Sequence, residues 1–295
     1  MQIKLTLLAT TIALSVFVSC GTADIRPDAL KAGSPSAADQ AKGRALLQQV
    51  FTASGGLELY RSFGSVRAEF RDDWSTAPAP ARWLFMEYDE DDHPTRLDAR
   101  VNAMGNARME FLAGPQQGEV WGVQDARRFW TQAPGQAPEF KDDVGRQLFV
   151  ENVEFYLGFP FYLNSADQVT YLDEVEFEGK PHDRLFLSWN TFEPQKHVDQ
   201  WIVWIDRETK RIKQMQFTVR PSGQSIVGVY YVEEYKTIQG LTIPVKLAAR
   251  FNAEDPDAVH AYDFYDVRYY KEARLAEILP QGARTVTREG QLSAK

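Results

Sequence analysis

The feature that most constrains this chain is a two-residue alternation of apolar and polar side chains that recurs along much of its length. Val66, Ala68 and Phe70 alternate with charged residues in SVRAEFR, and Leu97 and Ala99 do so in TRLDAR. Successive side chains of a strand point to opposite faces, so the pattern predicts strands with one buried and one solvated face, as in antiparallel sheets. About 11–12 candidate strands occur, and a sheet of that size has to curl or close.

Two segments depart from the alternation because their apolar residues are consecutive. QWIVWID contains Trp201 to Trp204, and VGVYYVEEY contains Val229 to Val232. Both faces of such strands are apolar, so other parts of the chain have to cover both. Two predicted helices are the candidates for these covers. The fold class is therefore expected to be α+β, mostly β.

The first predicted helix begins the folded domain. Ser36 and Asp39 have the spacing of a capping box, with Asp in place of the usual Glu. Gly55 and Gly56 predict the end of the helix, since glycine commonly follows a helix C-terminus. The apolar face of the helix is expected to consist of Leu46, Leu47, Val50 and Phe51.

Residues 140–163 predict a second helix, which is rich in aromatic side chains. Gly158 and Pro160 are expected to break it. The aromatic stretch 150–165 is too short, and too polar at its start, to span a membrane. Because it is inserted among strands, we expect it to plug or roof the concave face of the sheet. Its apolar stripe is predicted to comprise Leu148, Phe149, Asn152, Phe155, Tyr156 and Phe159.

The N-terminus has the pattern of a secretory signal peptide. Lys4 supplies the positive charge and Leu5–Val18 the apolar run. The sequence Phe-Val-Ser-Cys at 17–20 resembles the bacterial lipobox. The resemblance implies cleavage before Cys20, the only cysteine, and attachment of acyl chains such as palmitate to it. An ordinary signal peptide or an N-terminal anchor helix is the alternative.

These features divide the chain into four parts. Gly21, and not Asp, follows the cysteine, which by analogy with enterobacterial sorting favours an outer-membrane location with the domain facing the periplasm. The segment behind it is rich in Ala, Pro, Gly and Ser, a composition typical of a flexible tether. The expected parts are a lipoprotein signal peptide (1–19), the lipidated Cys20 with its tether (20–40), one domain (41–280) and a C-terminal tail (281–295).

The charge balance limits the partners of the protein. The chain has 33 Lys and Arg residues against 41 Asp and Glu residues, for a formal net charge of −8. A negative surface argues against binding to nucleic acid and against electrostatic docking on anionic lipid. The partners that remain are a membrane reached through the lipid anchor, a lipid or acyl ligand, and an envelope protein.

Four segments together resemble the LolA/LolB-like superfamily, and in particular its lipoprotein members. They are ASGGLELYRSFGSVRAEF (53–70), GEVWGVQDARRFW (118–130), DQWIVWIDRETKRIKQMQF (199–217) and YKTIQGLTIPVKL (235–247). The resemblance implies an incomplete antiparallel β-barrel whose hollow is filled or roofed by helices. Superfamily members of known role hold lipoprotein acyl chains in this hollow, which implies an apolar ligand here. No catalytic residue comes with the resemblance, and a role in lipoprotein trafficking does not follow from it.

Residues suited to catalysis or metal binding form no recognisable motif. His93, His182, His197 and His260 show no i,i+4 pairing and no HExxH pattern. The acidic run DEDDH at 89–93 lacks the spacing and the glycine of a calcium-binding loop. We therefore expect structural histidines, no metal, no cofactor and no enzymatic activity.

Aromatic side chains are the remaining candidates for a binding site. Packing in the protein's own core is the alternative interpretation of each. A half-barrel that is too wide for its own side chains needs a helix or a ligand to fill it, and this favours ligand contact for the residues around 155–162. The candidate ligand-binding residues are Phe155, Tyr156, Phe159, Phe161, Tyr162, Trp121, Trp130, Trp189, Trp201 and Trp204.

Three functions remain open at the level of sequence. The first is a non-catalytic envelope lipoprotein that binds a lipid or acyl chain in the hollow of the sheet. The second is an envelope scaffold protein whose hollow is filled by its own helices. The third, an envelope hydrolase, requires a cleft in which one of the four histidines activates a Ser or an Asp.

Overall fold

Alternating strands dominate the structure, as the sequence predicts. The computed structural model describes residues 22–74, 93–101, 104–220, 226–250 and 258–283. Over these ranges the chain forms one antiparallel sheet of fourteen strands and a few helices. The predicted class, α+β and mostly β, is confirmed. Within the same ranges, no helix has both the length and the apolar character needed to cross a bilayer.

The chain alternates a few helices with many strands. The helices are α1 (Asp28–Lys31), α2 (Ala37–Ala53), α3 (Leu57–Arg61), α4 (Val144–Gly158), a 3-10 helix (Phe161–Ser165) and α5 (Leu275–Ile278). The strands are β1 (Ser65–Asp73), β2 (Thr95–Arg100), β3 (Ala107–Phe111), β4 (Val120–Gln124), β5 (Arg128–Gln132), β6 (Glu139–Lys141), β7 (Gln168–Phe177), β8 (Lys180–Ser188), β9 (Trp201–Asp206), β10 (Ile212–Thr218), β11 (Val227–Ile238), β12 (Leu241–Arg250), β13 (His260–Phe264) and β14 (Arg268–Tyr270).

Hairpins build the sheet as two halves that meet at β1. The strand order is β6-β5-β4-β3-β2-β1-β13-β12-β11-β10-β9-β8-β7, with β14 paired to the other end of β1. Among the described strands, β6 and β7 end the order and do not pair with each other. The sheet is therefore open, which confirms the predicted incomplete barrel.

The alternation places one face of each strand in a common core. Val66, Ala68 and Phe70 of β1 are buried together with Val245 and Leu247 of β12 in a cluster that lies on the concave face. In β9 the two faces diverge: Trp201 belongs to that cluster, whereas Ile202 and Trp204 belong to a second one. The prediction that both faces of this strand are covered is thus confirmed.

Helix α2 begins and ends where its sequence signals place it. The Ser36 hydroxyl accepts a hydrogen bond from the Asp39 backbone N–H at 3.0 Å, so the predicted cap is present. After the helix, Gly55 adopts a φ of 102°, a conformation that glycine reaches without steric cost. A Cβ atom there would lie 2.3 Å from the carbonyl oxygen of Gly240. The predicted apolar face, Leu46, Leu47, Val50 and Phe51, is buried.

Helix α4 is shorter than the predicted span of 140–163, because residues 139–141 form β6 and the helix ends before Pro160. Its most enclosed apolar residues are Val150, Val153, Tyr156 and Leu157, whereas Phe149 and Phe155 of the predicted stripe are only partly buried. The helix lies inside a concave sheet, which encloses several of its faces. The predicted stripe is therefore divided: Tyr156 and Phe159 pack as deeply as the aliphatic residues, and Phe155 lies toward the rim.

Residues 22–33, which we call the N-terminal strap, differ from the flexible tether expected from their composition. Leu30 of α1 packs against Phe186, Ile202 and Trp204 on the convex face. The apolar outer face of β8 and β9 explains this docking, because it needs a cover that neither α2 nor α4 provides. Cys20 lies outside the described residues.

Candidate ligand-binding site

The concave face is not filled along its whole length. A pocket of about 460 Å³ remains where the C-terminal end of α4 meets the 3-10 helix. Helix α3 lines it on one side, and the segment 197–199 before β9 lines it on another. Met104, in the turn that follows β2, completes the rim.

Aromatic rings in mutual contact form the walls of this pocket. Phe155 lies 5.0 Å from Trp201 and 5.9 Å from Tyr162, measured between ring centroids. Tyr60 and Phe161 stack at 4.5 Å. Burial raises the pKa of Tyr162 well above its ordinary value, so this phenol stays neutral and suits an apolar wall.

Half of the predicted aromatic residues meet at this pocket. The Trp189 indole N–H donates to Ser165 Oγ at 3.1 Å, which fixes the ring at the mouth. Trp189 follows directly after β8. The predicted residues that line the pocket are Phe155, Phe161, Tyr162, Trp189 and Trp201.

The other five predicted residues do not line the pocket. Tyr156 and Phe159 are fully buried in the core, and Trp121 packs under α4 at 6.4 Å from Phe149. Trp204 faces the convex side beneath the strap. Trp130 lies over Gly122, where an added Cβ would come within 2.2 Å of the indole. Strand alternation separates Trp204 from Trp201, because side chains an odd number of residues apart point to opposite faces.

The rim of the pocket brings together a serine, a histidine and an aspartate. Ser165 Oγ donates to the Tyr162 carbonyl at 2.8 Å and accepts from Trp189. Asp199 accepts from the Arg220 backbone N–H at 2.9 Å, and its burial raises its pKa. In the part of the chain that the structure describes, no hydrogen bond joins His197 to either residue. The arrangement therefore lacks the nucleophile–base contact of covalent catalysis.

A buried carboxyl group lies beside the pocket, and the sequence reasoning did not identify it. Glu154 of α4 is 1% exposed, and its Oε2 accepts from the Gly105 backbone N–H at 2.8 Å. Burial raises its pKa to about 8, although the hydrogen bond from Gly105 opposes this shift. Glu154 follows Val150 by four residues and precedes Leu157 by three, so helical spacing alone could have placed it on the buried side.

A network of hydrogen-bonded side chains connects α4 to the sheet. His260 Nδ1 lies 2.7 Å from Asp72 Oδ1, and His260 Nε2 lies 3.2 Å from the Tyr230 hydroxyl. The Asn152 amide donates to that hydroxyl at 3.3 Å, and Trp74 stacks on the imidazole at 4.0 Å. These groups are enclosed, and their contacts explain Asn152 on the inner side of α4. No local sequence pattern indicates this network, because His260 and Asp72 are 188 residues apart.

Metal-binding constellations are not found in the described ranges, where no group of three His, Cys, Asp or Glu side chains could hold an ion. Of the acidic run DEDDH, only His93 belongs to these ranges.

Known proteins offer similarity in fold. No protein-family model and no curated protein matches this sequence. A LolA superfamily protein from Nitrosomonas europaea is similar at 11% identity and a TM-score of 0.47, over 75% of this chain and 92% of that chain. A DUF1329 family protein from Desulfovibrio piger is similar at 8% identity and a TM-score of 0.46, over 78% and 93%. A likeness at this level of identity and TM-score assigns this chain to no family and identifies no ligand.

Proposed function

We propose that this protein is a non-catalytic lipoprotein of the bacterial envelope that binds an acyl chain, such as that of palmitate, in the pocket at the end of α4. One observation carries the proposal: a hollow that is otherwise closely packed keeps an aromatic-walled space of about 460 Å³. Ligand sites in proteins typically enclose about 300–1,000 Å³ and have mainly apolar walls.

The walls of the pocket suit an apolar ligand. Phe155, Tyr162 and Trp189 are only partly buried although they pack against the main core. An acyl chain in the pocket would remove the rest of their apolar surface from water. Each methylene buried in this way contributes about 0.8 kcal/mol, so a short stretch of chain is sufficient for stable binding.

The polar groups at the rim support binding rather than catalysis. Ser165 and Asp199 are already engaged by Trp189 and Arg220, and His197 is exposed. A hydrolase requires a nucleophile and a base within hydrogen-bond reach, and this rim does not supply such a pair.

Membrane attachment is the second part of the proposal. The apolar run before Cys20 and the lipobox-like residues 17–20 support lipidation, and two or more acyl chains anchor a protein stably. Gly21 supports an outer-membrane location, with the domain in the periplasm.

The test is uptake of palmitate by the domain from residue 21 onward, which lacks Cys20, followed by native mass spectrometry. We expect a copurified or added acyl species at a ratio of one per chain. Phe155→Ala should weaken uptake, and Phe140→Ala should not, because Phe140 lies on the edge strand β6 and is 39% exposed. A folded domain that takes up no fatty acid would contradict the proposal.

A second function is favoured by the filled part of the hollow. Val150, Val153 and Leu157 occupy it completely, as expected for a scaffold protein of the envelope. If the domain binds no lipid but cross-linking in cells captures one specific envelope protein, this second function replaces the first.

A further inference from the structure

We propose that the N-terminal strap holds the mouth of the pocket at the membrane surface, so that the pocket exchanges its ligand directly with the bilayer. The inference deepens the proposed function, and it rests on the lipidation of Cys20 proposed above. It assigns a partner surface, the lipid bilayer, to one side of the domain.

The strap is attached to the domain by apolar packing and by a backbone hydrogen bond. Leu30 packs with Ile202 and Trp204 on the convex face. The Ile25 backbone N–H donates to Gln200 Oε1 at 3.1 Å, and Gln200 is fully buried. Gln200 immediately precedes β9 and Trp201, which is a wall of the pocket.

Charged contacts fix the strap a second time. Arg26 is buried and forms ion pairs with Asp24 at 2.9 Å and with Glu193 at 2.6 Å. Glu193 lies in the β8–β9 connection, which also supplies His197 to the rim. The strap therefore follows the rim-forming segment over much of its length.

Arg220 joins the strap directly to the rim. Its Nη2 donates to the Ala23 carbonyl at 2.6 Å, and its Nε donates to the Val198 carbonyl at 3.4 Å. Val198 and Asp199 line the pocket, and Asp199 accepts from the Arg220 backbone. One guanidinium group thus contacts both Ala23 and the wall of the mouth.

The distance from Cys20 to this point is short. Three residue steps separate Cys20 from Ala23, and an extended chain spans at most about 11 Å over three steps. A free tether of twenty residues would reach a root-mean-square distance of about 25 Å. The docked strap removes this freedom and keeps the mouth close to the anchored lipid.

The surface at the mouth suits a bilayer. Met104 is 41% exposed there, and the exposed Arg61 lies at the same rim, where it pairs with Glu58 at 3.3 Å. The negative charge of the whole chain disfavours docking by electrostatics alone, so attachment through the strap is what sets the orientation.

The experiment uses the full lipidated protein in phosphatidylethanolamine/phosphatidylglycerol vesicles that contain a spin-labelled lipid. Met104→Cys carries a thiol-reactive fluorophore, and Cys20 does not interfere because its thiol is acylated. The matched control is Val144→Cys, at a residue that is 63% exposed and about 16 Å from Phe155 along α4. We expect at least threefold stronger quenching at 104 than at 144.

Two further variants test whether the docked strap causes the quenching difference between positions 104 and 144. A twenty-residue Gly/Ser insertion after Gly21, and the double change Arg26→Ala with Leu30→Ser, should both abolish the difference between positions 104 and 144. Circular dichroism confirms that each variant is folded. Equal quenching at positions 104 and 144 in proteins with an unaltered strap would overturn the inference. A quenching difference that survives the Gly/Ser insertion would overturn it as well.

The same variants distinguish this inference from the proposed function. If the inserted variant still takes up palmitate but loses the quenching difference, both proposals stand. If the quenching difference is present but no variant takes up palmitate, acyl binding fails while the orientation at the membrane remains.

Discussion

The two parts of the concave face differ, although one helix serves both. Along the middle of α4, the aliphatic residues Val150, Val153 and Leu157 are completely buried against the sheet. At its C-terminal end, Phe155 keeps an open side toward the pocket. Interiors pack as densely as crystals, so the open space at this end sets it apart from the filled middle of the helix. Helix α4 is therefore a fixed plug for one part of the hollow and a wall for the other.

Polar contacts explain why α4 behaves as a fixed element. Asn152 donates to the hydroxyls of Tyr230 and Tyr262, and Glu154 accepts from Gly105. At the end of the helix, the Tyr269 hydroxyl donates to the Leu157 carbonyl at 2.7 Å. These anchors lie on different elements and hold the helix in place, so the pocket at its end is preformed.

The largest expected effect is a loss of stability when the filled part of the hollow, along the middle of α4, is altered. Leu157→Ala removes a completely buried side chain and should lower the free energy of unfolding by about 2–5 kcal/mol. Chemical denaturation followed by circular dichroism measures this change. Phe140→Ala on the exposed edge is the control and should cost less than about 1 kcal/mol. If Leu157→Ala lowered the free energy of unfolding by less than about 1 kcal/mol, the hollow would be loosely filled around α4.

The next effect is a pH dependence caused by Glu154. Its pKa is 4.5 as an ordinary glutamate and about 8 in the folded protein, so between these values the folded state holds a proton that the unfolded state has lost. The free energy of unfolding therefore falls as the pH rises from 4.5 to 8, by on the order of 1 kcal/mol per pH unit.

Glu154→Gln isolates this contribution, because it keeps an oxygen that can accept from Gly105. The stability of the variant relative to the unchanged protein should increase with pH between about 5 and 8. Asp199, whose pKa burial also raises, is common to both proteins and cancels. The charge of Glu151 contributes to the raised pKa of Glu154, so the loss of this repulsion is part of the measured difference. A difference that does not change with pH would show that Glu154 is ionised in the folded state.

A smaller effect is expected at the pocket wall. Phe155→Ala should weaken palmitate binding about tenfold, since losing part of one apolar wall corresponds to about 1–2 kcal/mol. Isothermal titration or a competition assay with a fluorescent fatty acid measures the change. Trp204→Phe on the convex face is the control. Equal weakening by both variants would indicate an effect on folding, and no weakening by Phe155→Ala would remove this residue from the site.

The smallest effect is expected at the rim. His197→Ala should leave palmitate binding unchanged within about twofold, and the stability within about 0.5 kcal/mol, as is usual for exposed side chains. The alternative result is that the unchanged protein hydrolyses an ester substrate and His197→Ala abolishes this activity. That result would support the hydrolase hypothesis.

Short-range patterns made much of the fold predictable. Alternation in β1 and β2 and the cap at Ser36 are encoded by neighbouring residues. The consecutive apolar residues of β9 also predicted correctly that both faces are covered.

Long-range juxtaposition was not predictable in the same way. Composition suggested a flexible tether for residues 20–40. The docking of residues 22–33 was not predictable, because the apolar surface that packs on Leu30 belongs to strands far along the chain, at Phe186 and Ile202. The contact between Asp72 and His260 depends on β1 and β13 being neighbours. Among the candidate aromatics, sequence alone could not separate those at the pocket from those in the core, since both places require the same residue type.

The most direct test of acyl binding at this pocket is to locate the ligand. The domain from residue 21 onward, loaded with a palmitate analogue that carries a photoreactive diazirine at its methyl end, would be irradiated, digested and mapped by mass spectrometry. We expect labelling in residues 155–165 and 189–201, with competition by unlabelled palmitate. Specific, competable labelling confined to other residues would contradict a site at the end of α4.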